Sequence, residues 1–212
     1  MFRKALLTTA AAIAMLALSS VARADTITLT GVNGTGVTAQ VSNYSLVGNT
    51  FTFTITNTSV APGSTGTITN IGFALPGNRS NNYQLVSSTN NNYIIVFDQN
   101  ATSGSQNLVS SFDLVLCNKN NSNSCNSFGG GSVNNGIAGG TSATFSISGD
   151  FSGLTADQVA HSIFARFQAV NGGGSDVATN TGTVPEPMTM LLFGTGLAGL
   201  AARARKRRNS KA

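Results

Sequence analysis

The chain has 212 residues, only 9% of them charged, with a formal net charge of +5 and a pI near 9.7. That basic balance belongs to the ends: Arg3, Lys4 and Arg23 stand in front, and Arg203, Arg205, Lys206, Arg207, Arg208 and Lys211 stand behind. Between residues 25 and 183 only Arg79, Lys119 and Arg166 face six aspartates, so the body is weakly acidic and has no footprint for phosphate backbones, which excludes nucleic acid as a partner.

The first 24 residues read as a leader. "MFRK" supplies a positive start, "ALLTTAAAIAMLAL" an apolar stretch, and Ala22-Arg23-Ala24 a small-residue exit before Asp25. This is the pattern of a secretory signal peptide cut by signal peptidase between Ala24 and Asp25. Export into an oxidising compartment suits the two cysteines. Cys117 and Cys125 bracket seven polar residues, "NKNNSNS", and are expected to form a disulfide. Closing so short a loop would remove denatured-state entropy worth roughly 2–3 kcal/mol.

Residues 25–170 form the expected domain, and they alternate. "TITLT" (26–30) sets Ile27 and Leu29 against threonines, and "GVTAQVSNYSLV" (36–47) continues as a second strand. "NTFTFTITNTS" places Phe51, Phe53 and Ile55 on one side and Thr50, Thr52, Thr54 and Thr56 on the other, the period of a half-buried strand. Further strands are expected over 65–75, 92–98, 111–117 with Phe112, Leu114 and Leu116 on one face, 142–148, and 161–170. Gly-, Pro- and Asn-rich turns separate them at 61–66, 76–82, 98–107 and 128–140. "SGLTADQVAHS" is the one helical hint, with Thr155 as its cap over Asp157 and Gln158. The sum predicts an all-β domain, a single antiparallel β-sandwich of jelly-roll or immunoglobulin-like type. Residues 171–183, rich in Gly, Thr and Asn, read as a flexible linker.

The body offers little for catalysis. Its single histidine, His161, falls with Val159, Ile163, Ala165 and Phe167 on the apolar side of the expected strand, the setting of a structural residue. No Gly-x-Ser-x-Gly elbow occurs, and the aspartates show no spacing that pairs them. "FDQNATSG" (97–104) lacks the third oxygen ligand and the terminal Glu of a calcium loop. Catalytic residues, metal and cofactor are therefore all expected to be none. The Thr- and Asn-rich strand faces suit solubility, and a sugar-facing surface is the alternative. With Trp absent and only Tyr44, Tyr83 and Tyr93 present, an aromatic platform for sugar is thin.

Residues 184–212 differ from everything before them. Val184-Pro185-Glu186-Pro187 precedes the apolar run Met188–Ala202, about 22 Å long as a helix against about 30 Å of hydrocarbon, then the cluster Arg203, Arg205, Lys206, Arg207 and Arg208. The prolines bar a helix from starting before Met188 and keep Glu186 extended and accessible. "GTGLAG" (194–199) fits a dinucleotide fingerprint by letter but lies inside the apolar run, without the strand that fingerprint needs. There its glycines suit close helix contact in a membrane, and the basic cluster would hold the end in the cytoplasm.

In this order of Pro-Glu-Pro, short Gly-containing hydrophobic helix and basic cluster, residues 184–208 resemble the PEP-CTERM sorting signal of Gram-negative bacteria. The resemblance implies processing near Val184–Pro187 by an exosortase, a membrane enzyme, in bacteria that make extracellular polysaccharide. "ITNIGFALPG" (68–77) and "ARFQAVNGGGSD" (165–176) are also similar to stretches of small PEP-CTERM proteins and imply no activity. The chain is thus expected to comprise a signal peptide (1–24), a β-sandwich (25–170), a linker (171–183), a sorting signal with a short transmembrane helix (184–208) and a tail (209–212). The expected life history is export, transient anchoring in the inner membrane, then the cell surface or matrix. The expected role is structural or adhesive and non-enzymatic. The alternative is a module that binds exopolysaccharide, and a glycoside-active enzyme ranks last.

Overall fold

The computed structural model describes residues 26–77, 79, 82–96, 112–119, 128 and 131–180. The leader, Asp25, Cys125 and everything after Asn180 lie outside the described residues.

Alternation builds the sheet as the sequence predicts. The strands are β1 (Ile27–Gly31), β2 (Thr38–Val47), β3 (Thr50–Asn57), β4 (Thr67–Phe73), β5 (Gln84–Ser88), β6 (Tyr93–Val96), β7 (Leu114–Asn118), β8 (Ser142–Ser148), β9 (Ile163–Gln168) and β10 (Ser175–Asn180), with helix α1 (Ala156–His161) between β8 and β9. In β3 every second residue from Phe51 to Asn57 is buried, and β8 repeats the rhythm with Ala143, Phe145 and Ile147.

All ten strands pair antiparallel in one continuous sheet, in the order β5-β8-β3-β2-β1-β10-β9-β4-β7-β6. Its two ends, β5 and β6, are consecutive in the chain and joined only by residues 89–92. In a flat sheet with strands about 4.8 Å apart, those ends would stand roughly 43 Å from each other. A link that short reaches roughly 17 Å. The sheet must therefore roll until its ends nearly meet, and it does: the Tyr93 ring of β6 lies 5.1 Å from that of Phe145 on β8, across the seam. The result is a nearly closed barrel.

This bears out an all-β antiparallel domain but differs from the two separate sheets of a jelly-roll or immunoglobulin-like sandwich. The reason is the pairing of β1 with β10, Leu29 opposite Asn180 and Gly31 opposite Ala178, which joins the two halves by hydrogen bonds. The halves still face each other through the interior. Phe73 of β4 sets its ring edge-on to Phe51 and Phe53 of β3, at 6.3 and 5.6 Å. Phe53 stacks on Phe145 at 5.5 Å. Each such side chain, wholly withdrawn from water, contributes about 1.5–3 kcal/mol.

Several expectations change. The segment read as a linker supplies β10, a central strand whose Asp176, Val177 and Ala178 are all buried, so the domain runs on to Asn180. Burial on both faces by small residues hides its alternation. β5 was not expected; a bulge between Leu85 and Ser87 breaks its period, and Val86 is 60% exposed. Phe112 leaves the face shared by Leu114 and Leu116. It packs instead with Phe128 in a second cluster containing Val115 and Cys117, on the opposite side of β7. His161 is the last residue of α1 rather than a strand residue, while Ile163, Ala165 and Phe167 do point into the core. The helix has the expected cap: Thr155 accepts from Gln158 N, and the Gln158 side chain accepts from Thr155 N.

Bulges also steer side chains. Between Ser42 and Ser45 the register of β2 against β3 shifts, with Asn43 at φ 49°. The extra residue sends Tyr44 and Leu46 toward the core in place of Asn43 and Ser45.

Candidate functional site

The processing residues foreseen in the sequence, Ala22, Ala24 and Asp25 at the leader and Val184, Pro185, Glu186 and Pro187 at the tail, lie outside the described residues. So do the basic cluster Arg203, Arg205, Lys206, Arg207 and Arg208, the apolar run before it, and the stretch 97–104 weighed for calcium. Among the described residues no helix is long and apolar enough to cross a membrane, and no three His, Cys, Asp or Glu gather as for a metal ion.

Within the domain, Arg79, Tyr83, Asp113 and Asp150 converge where the β4–β5 connection meets the turn after β8. Arg79 Nε donates to Pro76 O at 2.8 Å, and Nη1 donates to Ser152 O at 2.7 Å while lying 3.9 Å from Asp150 Oδ1. Asp150 Oδ1 also accepts from Ser152 Oγ at 2.6 Å. Tyr83 fills the space above Gly149, where a Cβ would stand 2.1 Å from its ring, and its hydroxyl donates to Asp150 O at 3.0 Å. Burial, then the charges of Asp113 and Asp150, pushes the Tyr83 pKa up to about 12. Asp113 Oδ2 accepts from Leu75 N at 2.7 Å. Burial raises its pKa, against the pull of that bond and of Arg79.

Two carboxylates thus act on one tyrosine, which the sequence spacing could not show. A glycosidase needs such a pair facing an open cleft, one carboxyl free to donate a proton. Here each carboxylate holds a turn: Asp113 fixes the chain after β4, and Asp150 fixes the chain after β8. Tyr83 stays protonated at neutral pH and donates its proton to a backbone carbonyl. The arrangement clamps loops.

Several other polar side chains are committed in the same way. Tyr44 OH donates to Asp157 Oδ1 at 2.8 Å and so staples α1 to β2. His161 Nδ1 lies 2.8 Å from Asp157 O, one helical turn back. Tyr93 OH donates to Ile68 O at 2.7 Å, and burial raises its pKa further than that of Tyr83. The buried Asp176 accepts from Val177 N at 2.7 Å and Asn33 N at 3.3 Å, and from the Thr35 hydroxyl, tying down the β1–β2 loop. The hydroxyls of all three tyrosines are therefore turned to the fold, and the rings of Tyr83 and Tyr93 are buried.

A recess of about 350 Å³ opens beside β4, lined by Ser59, Val60, Thr65, Thr67, Gly139 and Ala169. Asn57 shapes it. Its Nδ2 donates to Gly66 O at 2.8 Å and Ile137 O at 2.9 Å, and its Oδ1 accepts from Ser59 N at 3.0 Å. Ser59 Oγ is taken in turn by Thr38 N at 2.7 Å and Thr38 O at 3.0 Å. Among the described residues no ionisable group lines the recess, and its walls suit a hydroxyl or a methyl. Cys117 is buried on β7 and its Sγ accepts from Asn70 Nδ2 at 3.1 Å; its expected partner Cys125 is outside the described residues.

Set beside known proteins, residues 183–208 match the PEP-CTERM protein-sorting motif. The chain carries that motif where its Pro-Glu-Pro triplet, apolar run and basic cluster follow one another. The motif implies exosortase-dependent sorting of an exported protein to the cell surface. The chain matches no curated protein and no solved structure.

Proposed function

We propose that this protein is a non-catalytic structural or adhesive component of the bacterial surface or extracellular matrix. Signal peptidase cuts before Asp25, and Met188–Ala202 holds the precursor in the inner membrane of a Gram-negative cell. Exosortase then releases the domain near Val184–Pro187. A Cys117–Cys125 disulfide closes the polar loop once the chain is outside. The sorting-motif match carries the reading. It is supported by a domain in which Arg79, Tyr83, Asp113, Asp150 and Asp157 are held in contacts within the fold.

Changing Pro185, Glu186 and Pro187 together to Ala tests it. The variant is expected to accumulate in the inner-membrane fraction with its tail intact, while the wild-type protein leaves that fraction. Equal release of both would refute exosortase processing at this motif.

A second reading, an exopolysaccharide-binding module, is favoured by the uncharged hydroxyl face described below for β3 and β8. Retention of the purified protein on host exopolysaccharide is its measurement, and no retention would remove it.

A further inference from the structure

Among the described residues, the outward face of one half of the sheet holds a cation without an anion. Strand pairing sets Val177 of β10, Arg166 of β9, Asn70 of β4 and Cys117 of β7 side by side in one row. Arg166 is half-buried, and its Nε is shut from solvent without a hydrogen-bond partner. Among the described residues the one ion pair is Arg79 with Asp150, so no described carboxylate pairs with Arg166. Every described aspartate is engaged elsewhere: Asp113 at Leu75, Asp150 at Ser152, Asp157 at Tyr44 and Asp176 at the β1–β2 loop. Burial lowers the Arg166 pKa. A guanidinium stripped of part of its water and given no anion is destabilising, and its planar fork matches an oxyanion.

The neighbour on the same face narrows the ligand. Phe164 stands two residues away along β9, about 7 Å at strand spacing. It is half-buried, with Phe112 edge-on to it at 5.4 Å. A partly open aromatic ring beside an unpaired guanidinium suits a molecule with a C–H face and a carboxylate at one end. We propose that Arg166 and Phe164 form a subsite for a uronate, a pyranose carrying a carboxylate, within an acidic polysaccharide. Arg166 would take the carboxylate through its fork, and Phe164 the apolar face of the ring. The site deepens the matrix-facing reading, and on that reading alone rests the polysaccharide as the source of the uronate.

Binding of a glucuronate oligosaccharide to the purified full-length chain tests the site without reference to where the protein is sorted. The wild type is expected to bind, weakening with added salt, and Arg166→Gln to lose at least about tenfold, as removal of a charge-assisted pair requires. Arg166→Lys keeps the charge but not the fork and is expected to fall between them. The melting temperature of each variant, unchanged within a few degrees, shows that the fold survives; if Arg166→Gln unfolds, Arg166→Lys and Phe164→Leu carry the comparison. Equal binding by wild type and variants overturns the proposal, as does no binding at all. A neutral glucose oligomer that binds as well as the uronate also overturns it. So does acetate or an acidic peptide that competes as well, since a bare carboxylate would then suffice. Failure of these measurements with normal surface sorting sinks the subsite and leaves the sorting reading standing.

Discussion

On β3 and β8 the residues that point outward are Thr50, Thr52, Thr54 and Thr56 facing Ser148, Ser146, Thr144 and Ser142. On β9, β4 and β7 the corresponding rows are Phe164, Gly72 and Val115, then Arg166, Asn70 and Cys117. The first half meets water with hydroxyls that bond one another, Thr52 with Ser146 at 2.9 Å and Thr54 with Thr144 at 2.8 Å. The second half is largely covered on the outside too, with apolar residues packed around Arg166 and Asn70. Its cover is Phe112 and Phe128, rings 4.4 Å apart and laid over Gly72, where a Cβ would come within 2.7 Å of Phe112. Both halves turn apolar side chains toward one core, β4 through a register shift between Ile68 and Asn70. The outward residues decide whether a strand needs a lid, and a glycine in the middle of a strand marks where the lid sits.

Three experiments probe that difference. The largest effect is expected from Phe112→Ala, which empties the lid: about 3–5 kcal/mol of stability by urea unfolding, the cost of a buried phenylalanine. A loss below about 1 kcal/mol would mean that the cover is dispensable and the two outer faces are equivalent. Gly72→Ala is expected to cost about 1–3 kcal/mol, because the new methyl must push two buried rings off the strand. If Gly72→Ala were neutral, the rings would not lie where the contrast between the halves puts them. The smallest effect belongs to the hydroxyl face. A double-mutant cycle of Thr54→Val and Thr144→Val is expected to give a coupling of about 0.2–1 kcal/mol, the range of a cross-strand pair. A coupling above about 2 kcal/mol would make the hydroxyl ladder a structural element rather than a wetted surface.

The same contrast explains how much the sequence showed. β3 and β8 were legible because one face is wet: strict alternation of Phe or Ile with Thr or Ser survives in the letters. β10 was not, since a strand buried on both faces by Asp176, Val177 and Ala178 has no period to display and sits among glycines that suggest a linker. Phe112 misled for a related reason. It keeps the spacing of Leu114 and Leu116, but the chain turns before Leu114 and carries it to the other side of the sheet. His161 sat in phase with the strand that follows, yet the Thr155–Gln158 capping box places it in the helix. The single continuous sheet was hidden as well, because it depends on β1 reaching β10 across most of the chain. The loop clamp of Arg79, Asp113, Asp150 and Tyr83 joins residues far apart in the chain, and no spacing rule connects them. The sorting signal was legible because it is contiguous and ordered, so its Pro-Glu-Pro triplet, apolar run and basic cluster can be read from the letters alone.

The central claim is that the body is cargo and the tail its address, so the decisive quantity is the C-terminus of the protein found outside the inner membrane. Mass spectrometry of its terminal peptides is predicted to find the chain ending at or near Val184–Pro187, with Met188–Ala212 absent. A mature protein that still ends at Ala212 would contradict the account.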